Sequence, residues 1–189
     1  CSHLKSDLQT SHIPVIMLTG RASMEDRLQG LESGADDYIS KPFEIKEIET
    51  RIKNLVEQRR RLKDKFSHTI SLDSRDVIVS TLDQKFLQNV IELVEKHMSN
   101  EAFNVTRLCM ELHISRSTMS RKLNALTGMS PVEFIRAIRL QRAATLLKQQ
   151  FGNVSQIALE VGFSNPSYFT RMFRQSYEVA PSKYARNEH

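Results

Sequence analysis

The sequence predicts a mainly α protein: an all-helical C-terminal region with two helix-turn-helix units, preceded by a short α/β segment. Three observations carry this. From about Thr81 to the end, apolar residues recur at spacings of three and four, the period of a helix buried on one side. Within that region one helix–turn–helix pattern occurs twice, offset by 49 and then 50 residues. Residues 13–58, by contrast, alternate short apolar runs with helical patterns, and the order strand, helix, strand, helix is that of a parallel sheet.

The elements follow in order. The run VIML, 15–18, is short and continuously apolar, as expected of a strand covered on both faces. Ser23 can cap a helix reaching about Ser33, with Leu28 and Leu31 inward and Gly34 as its stop. DYIS, 37–40, is a second strand, and a helix starts near Glu44. Its apolar positions Ile45, Ile48, Ile52, Leu55, Leu62 and Phe66 form a seam interrupted by Arg59. Two readings of that seam stand: the helix packs on its own sheet and EQRRRLKDK is a solvated extension, or the seam is a dimeric helix. Residues 67–82 read as an extended linker with short strands at Thr69–Leu72 and Val77–Val79, closed by Thr81 and Gln84 in capping-box spacing. The next helix carries the stripe Phe86, Val90, Ile91, Val94 and Met98.

The repeated unit holds the chemistry. Its first copy is VTRLCMELHISRSTMSRKLNAL, 105–126, and its second VSQIALEVGFSNPSYFTRMFRQSY, 154–177. Leu108, Cys109 and Leu112, and in the second copy Ile157, Ala158 and Val161, make the inner face of each first helix. Each copy turns at a hydrophobic residue followed by serine, Ile114-Ser115 and Phe163-Ser164. In the second helices, Met119, Leu123 and Leu126 match Phe169, Met172, Phe173 and Ser176 as the inward side. The opposite stripes carry Ser117, Ser120, Arg121 and Asn124, and Ser167, Thr170, Arg171 and Arg174, at i, i+3, i+4 and i+7. These hydroxyl, amide and guanidinium groups hydrogen-bond base edges and phosphates, and no carboxylate interrupts either stripe. Between the copies, Ser130, Pro131 and Glu133 open a helix over 131–149 with a capping box. About 18 residues at 1.5 Å each give a rod of roughly 27 Å. Successive turns of one groove lie about 34 Å apart, so the rod can set both second helices against one face of a duplex.

Totals agree with this. The net charge of +5 is uneven: residues 104–189 carry 12 Lys and Arg against 5 Asp and Glu, a surplus of 7, whereas residues 67–103 carry 3 against 6. A basic excess confined to the repeat region points to a polyanionic partner there. Cys1 and Cys109 make neither a disulfide framework nor a metal spacing, and Cys109 is expected to be a buried thiol. No apolar run approaches the roughly 20 residues of a membrane span, so no membrane contact is expected of this chain. No catalytic triad, glycine-rich phosphate loop or metal cluster is visible. The scattered histidines do not suggest a site; His113 reads as a packing or phosphate-adjacent residue. No enzymatic activity and no cofactor are expected.

Residues 83–189 resemble the AraC/XylS-type DNA-binding domain over their whole length, on SRKLNALTGMSPVEFIRAIRLQRAATLL and IALEVGFSNPSYFTRMFRQSYEVAPSKY. The resemblance implies two recognition helices in consecutive major grooves, with base-facing candidates Arg116, Ser117, Ser120 and Arg121, then Asn165, Ser167, Tyr168 and Arg171. Two residues depart from the pattern: Glu178, where glycine is usual, and Ala185, where arginine is common. The N-terminal segment resembles the second half of a response-regulator receiver, a flavodoxin-like α/β fold. By that resemblance Thr19 and Lys41 bind an aspartyl phosphate, Tyr38 switches rotamer with it, and the Lys41–Pro42 bond is cis. Asp36 and Asp37 stand in the turn before a strand and do not replace the acidic pair and phosphoacceptor of earlier strands. The expected organisation is a truncated receiver at 1–58, a helical extension and linker at 59–82, and the DNA-binding domain at 83–189, with units 104–126 and 154–177. Loss of neighbouring strands leaves a sheet edge that invites pairing, so residues 1–58 are expected to be disordered, swapped or shielded by a dimer contact.

Together these resemble the C-terminal end of a hybrid two-component regulator, whose parent can be membrane-anchored and can carry a sensor histidine kinase. The expected partners are double-stranded DNA and, in the cell, RNA polymerase, in a cytoplasmic setting. A homodimer through residues 23–66 stays open. So do two other classes: a phosphorelay receiver, and a dimerisation or interaction module.

Overall fold

The structure, a computed structural model, describes residues 1–20, 34–68 and 81–186. The expected helix at 23–33 and the short strands at 69–72 and 77–79 lie outside these residues. So do the side chains of Leu62, Phe66 and Thr81, on which the end of the seam and the Thr81 capping box rest.

The chain order is α1 (Ser2–Ser6), β1 (Ile16–Thr19), β2 (Asp37–Ser40), α2 (Ile45–His68), α3 (Thr81–Lys96), α4 (Val105–Glu111), α5 (Arg116–Thr127), α6 (Pro131–Lys148), α7 (Val154–Glu160), α8 (Pro166–Tyr177) and α9 (Pro181–Ala185). Two compact units form, Cys1–Leu87 with Asn124–Gly128, and Gln88–Leu123 with Met129–His189.

In the first unit β1 and β2 pair in parallel, Ile16 opposite Asp37 and Thr19 opposite Ser40. β1 begins one residue later than its apolar run and is only half covered: Leu18 is exposed, while Ile39 of β2 is buried. Each strand has a single neighbour among the described residues, which accounts for the partial cover. α1 has no periodic pattern, being five residues long, yet it supplies a buried lysine. Lys5 Nζ donates to the carbonyls of Ser11 and Ile13 and to Asp36, which also accepts from the Val15 N–H at 2.7 Å. Asp36 is therefore a structural counter-ion, and Asp37 likewise faces Arg51 of α2 at 3.3 Å. The Lys41–Pro42 bond is cis, as the resemblance implies.

The second unit is helical, and its helix ends are capped by their own sequence. Asn104 accepts from the N–H groups of Thr106 and Arg107, and Asn153, 49 positions on, accepts from Gln156. Both first helices then end in the same turn. Ile114 N–H bonds Cys109 O (3.1 Å) and His113 N–H bonds Met110 O (3.2 Å); Phe163 and Gly162 make the matching bonds to Ala158 and Leu159 (both 2.9 Å). These are Schellman motifs, which need a left-handed residue just past the helix. His113 (φ 53°) and Gly162 (φ 78°) fill that position.

The core of this unit gathers Leu140, Ala143, Leu146 and Leu147 of α6 against Ile157, Ala158, Val161, Phe163, Phe169 and Phe173. Arg139 of α6 is buried, and among the described residues no carboxylate pairs with it. Its Nη1 donates to Gly162 O at 3.2 Å and its Nη2 to Asn100 O at 2.8 Å and Phe103 O at 3.4 Å. One guanidinium thus ties α6 to the turn of the second copy and to the approach of the first. Burial pulls its pKa below the ordinary guanidinium value. His97 adds a parallel brace, stacking on Phe103 at 4.5 Å and meeting Glu111 of α4 at 3.1 Å.

Candidate nucleic-acid interface

α5 and α8 are the second helices of the two copies, 12 residues each. Ser115 caps α5, its Oγ accepting from Thr118 N–H at 3.1 Å. In α8 the cap is Asn165, whose Oδ1 accepts from Tyr168 N–H at 2.9 Å, and Pro166 takes the first turn, where its missing N–H costs nothing. The extra residue of the second turn is therefore Ser164, which stands between Phe163 and the cap, whereas in the first copy the cap Ser115 follows Ile114 directly.

One side of each helix is sealed. Met119, Leu123 and Leu126 of α5 are fully buried, as are Phe169 and Phe173 of α8, with Met172 close to it. From Phe163 an aromatic chain runs through Phe169, Phe173 and Tyr177 to Tyr184, with centroids 4.5–5.7 Å apart. Burial, with Tyr184 adding to it, pushes the Tyr177 phenol up to about 12, so it stays protonated as a packing group. Here one expectation is corrected. Ser176 is exposed, and Tyr177, one helical turn on from Phe173, takes the inward place by stacking at 4.5 Å. On α5, Lys122 is fully buried at the position matching Met172, which its charge had hidden from the pattern.

The candidate residues fall on the other side. Arg116, Ser117, Ser120, Arg121 and Asn124 are all exposed, as are Asn165, Ser167, Tyr168, Arg171 and Arg174; Thr170 is half-buried. Their donor inventories differ. Ser117 Oγ is bonded to Ser115 Oγ at 2.8 Å, and Thr170 Oγ1 donates to Pro166 O at 2.9 Å, so that hydroxyl has only acceptor capacity left to offer. Asn165 Oδ1 is spent on the cap, leaving its NH₂ as a donor. Arg171 stacks on the Tyr168 ring, its guanidinium carbon 5.3 Å from the centroid, and Arg136 Nη1 of α6 lies 3.5 Å from the same phenol oxygen. Arg136 was not among the residues the sequence singled out; the helical pattern places it beside apolar neighbours and gives no sign that it reaches α8.

Neither α5 nor α8 contains Asp or Glu. The surfaces are cationic and donor-rich with no internal counter-ion, a chemistry suited to phosphates and to the acceptor edges of bases. Cys109 of α4 is buried and free of a disulfide, and burial pushes its thiol up despite the pull of Arg116, so it is not a reactive group. In the first unit, Thr19 ends β1 and Lys41 follows β2, and the Lys41 N–H donates to Thr19 O at 2.7 Å. Tyr38 lies on β2 opposite Met17. Thr19 and Lys41 thus share the C-terminal end of the two-stranded sheet, whereas Tyr38 lies toward its N-terminal end. No group of three or more His, Cys, Asp or Glu suited to a metal occurs among the described residues. Nor is any described helix long and apolar enough to cross a membrane.

Two helix-turn-helix units on one helical scaffold, in the same chain as a receiver-like sheet, define a DNA-binding protein of the two-component regulator class. Residues 108–187 match the helix-turn-helix domain family, and residues 1–53 the response regulator receiver domain family. The chain joins a helix-turn-helix domain of AraC type to a portion of a response-regulator receiver. Among solved structures it is similar to the C-terminal domain of AraT, a response regulator from Geobacillus stearothermophilus (26% identity, 53% of this chain and 84% of that one, TM-score 0.50). It is also similar to a Chromobacterium violaceum transcriptional regulator with an AraC-type DNA-binding domain (25% identity, 55% and 91%, TM-score 0.51). A curated relative, histidine kinase P4 of Formosa agariphila, is 46% identical over 184 residues; these make up 97% of this chain but only 13% of that protein.

Proposed function

We propose that the chain binds double-stranded DNA sequence-specifically, with α5 and α8 entering two consecutive segments of the major groove. The observation that carries this is the pair of exposed, carboxylate-free stripes on the second helices of two copies of one unit, sealed by apolar and aromatic contacts on their other sides. Arg116, Ser117, Ser120, Arg121 and Asn124 read one segment, and Asn165, Ser167, Tyr168, Thr170, Arg171 and Arg174 face the other. α6, 18 residues and so about 27 Å long, is the spacer between them.

The domain limits at 58 and 82, the phosphate-linked roles of Thr19, Tyr38 and Lys41, the cytoplasmic setting and contact with RNA polymerase belong to the same reading. So does a parent chain carrying a sensor kinase, which the name of the Formosa relative supports. A homodimer through residues 23–66 is supported by exposed Ile45, Ile52 and Val56 on α2. The reading assigns no enzymatic chemistry to the residues of this chain.

The test starts with binding selection from random duplexes at two salt concentrations, because cationic contacts must weaken with salt while base preference persists. On the selected site, Arg121→Ala and Arg171→Ala are each expected to cost about 1–3 kcal/mol and to relax preference at one position. If both variants bound like the parent, with unchanged base preference, the assignment of the reading faces would be wrong.

A further inference from the structure

The two reading helices are not equivalent, and the difference lies in what holds their matched arginines. Arg171 and Arg121 occupy the same position of the repeat. Among the described residues no hydrogen bond, ion pair or ring contact holds the Arg121 guanidinium. Arg171 lies over the Tyr168 ring at 5.3 Å. Tyr168 is itself braced: its ring packs at 6.1 Å from the buried Phe163, which sits edge-on to Phe169 at 5.2 Å, and Arg136 of α6 approaches its hydroxyl at 3.5 Å. At the matching place in α5 stands Thr118, buried and bonded to Ser115, with no ring to offer.

We infer that Tyr168 is a positioning residue: it holds the Arg171 guanidinium in the pose that reads a guanine, so that discrimination at that base pair depends on the Tyr168 ring. The inference rests on the proposed DNA reading by α8 and deepens it. Arg is the commonest bidentate partner of guanine O6 and N7, and the fork must present both N–H groups in one plane. A guanidinium left free pays rotamer entropy on binding; one stacked on an aromatic face has paid part of it already. Phe163 is 7% exposed and Tyr168 38%, so the ring is anchored at the core edge while its outer face carries the arginine. No such restraint operates on Arg121, and the first half-site is therefore read by a mobile group.

A double-mutant cycle on the full chain tests this, with the selected duplex as probe. Tyr168→Leu is expected to lower affinity about three- to fivefold and to flatten the guanine preference at the Arg171 position. Preferences in the other half-site should stay as they are. Tyr168→Phe keeps the ring and should restore both affinity and preference. In an Arg171→Ala background, Tyr168→Leu should have almost no further effect. Additive losses would overturn the inference, since Tyr168 would then act on DNA by itself. A Phe variant as weak as the Leu variant would overturn it too, by assigning the role to the hydroxyl. Wild-type binding by Arg171→Ala alone would instead remove the reading beneath it, and the inference would fall with that reading. Melting temperatures of all variants, read alongside, separate a lost contact from a lost fold.

Discussion

Of the four described residues of the second unit in left-handed backbone, Gln150 (φ 50°) follows α6, and the other three close the helices of the two repeats at different cost. Gly162 must be glycine: besides its φ of 78°, an added Cβ would collide with the Met98 carbonyl oxygen and crowd the Arg139 guanidinium. His113 fills the matching position in the first copy at φ 53° with its side chain exposed, so only the backbone preference is violated. Glu178 is the third, at φ 63°, closing α8 through its N–H to Arg174 O at 2.9 Å. Its departure from the usual glycine was visible in the sequence, and the structure shows what it costs. Left-handed backbone is disfavoured for an L-residue by roughly 1–2 kcal/mol, which glycine avoids. The exposed Glu178 side chain makes no hydrogen bond or ion pair that would offset this among the described residues. Glu178→Gly is therefore expected to stabilise the fold by about 1 kcal/mol, less a few tenths for the freer unfolded chain. A rise in urea midpoint without change in slope would show it; an unchanged or lower midpoint would mean that the carboxylate has a native role.

Among the elements, α6 has the best-defined start. Ser130 Oγ accepts from Glu133 N–H, and Glu133 Oε2 accepts from both the Ser130 hydroxyl (2.7 Å) and its N–H (2.8 Å). Those bonds, the side-chain one first, hold the Glu133 carboxyl below its ordinary pKa. A depressed carboxyl pKa stabilises the fold above the unfolded value, near 4.3, and the gain is lost as pH falls through the folded value. Ser130→Ala is expected to cost about 1 kcal/mol at neutral pH. Its deficit relative to the parent should shrink as pH is lowered through the carboxylate range. Urea titrations at pH 7 and at successively lower pH check both points; a deficit that does not change with pH would detach Glu133 from the cap. This capping box was legible because Ser, Pro and Glu stand at fixed offsets before an apolar run. The exposed polar stripes of α5 and α8 were legible for the same kind of reason, a 3.6-residue period carried by residue types that differ sharply between faces. What the period could not reveal is long-range. Arg139 looks like one more charge on a helix until three carbonyls from distant segments converge on it. Lys122 breaks the apolar pattern yet is buried, and Ser176 keeps the pattern yet is exposed, because the wider aromatic Tyr177 takes its place. The caps at Asn104 and Asn153 could have been found, since they repeat at the offset of 49 that relates the first helices.

For the whole molecule the open question is copy number, and α2 is where it is decided. Its 24 residues, about 36 Å, carry Ile45, Ile48, Ile52 and Leu55 at alternating steps of three and four. Within one chain the cover is uneven: Ile48 and Leu55 are half-buried, but Ile45 is 75% exposed, Ile52 49% and Val56 62%. The packing and dimer readings are therefore not exclusive, since Ile48 and Leu55 can pack within the unit while Ile45, Ile52 and Val56 face a partner. Arg59, which interrupts the seam, is turned toward its own chain, 3.8 Å from Asp36. Among the described side chains of α2, the exposed large apolar ones are Ile45, Ile52 and Val56. Burying each of these side chains against a second copy would gain about 1.5–3 kcal/mol before association costs. A dimer of three such residues per chain is then expected to be weak and concentration-dependent. Ile52→Glu places like charges opposite each other at its centre and leaves Ile48 and Leu55 undisturbed. Light scattering across a concentration series should show the parent rising toward twice the monomer mass and Ile52→Glu holding at one. Equal masses at every concentration would mean that the exposed isoleucines meet something other than a second copy.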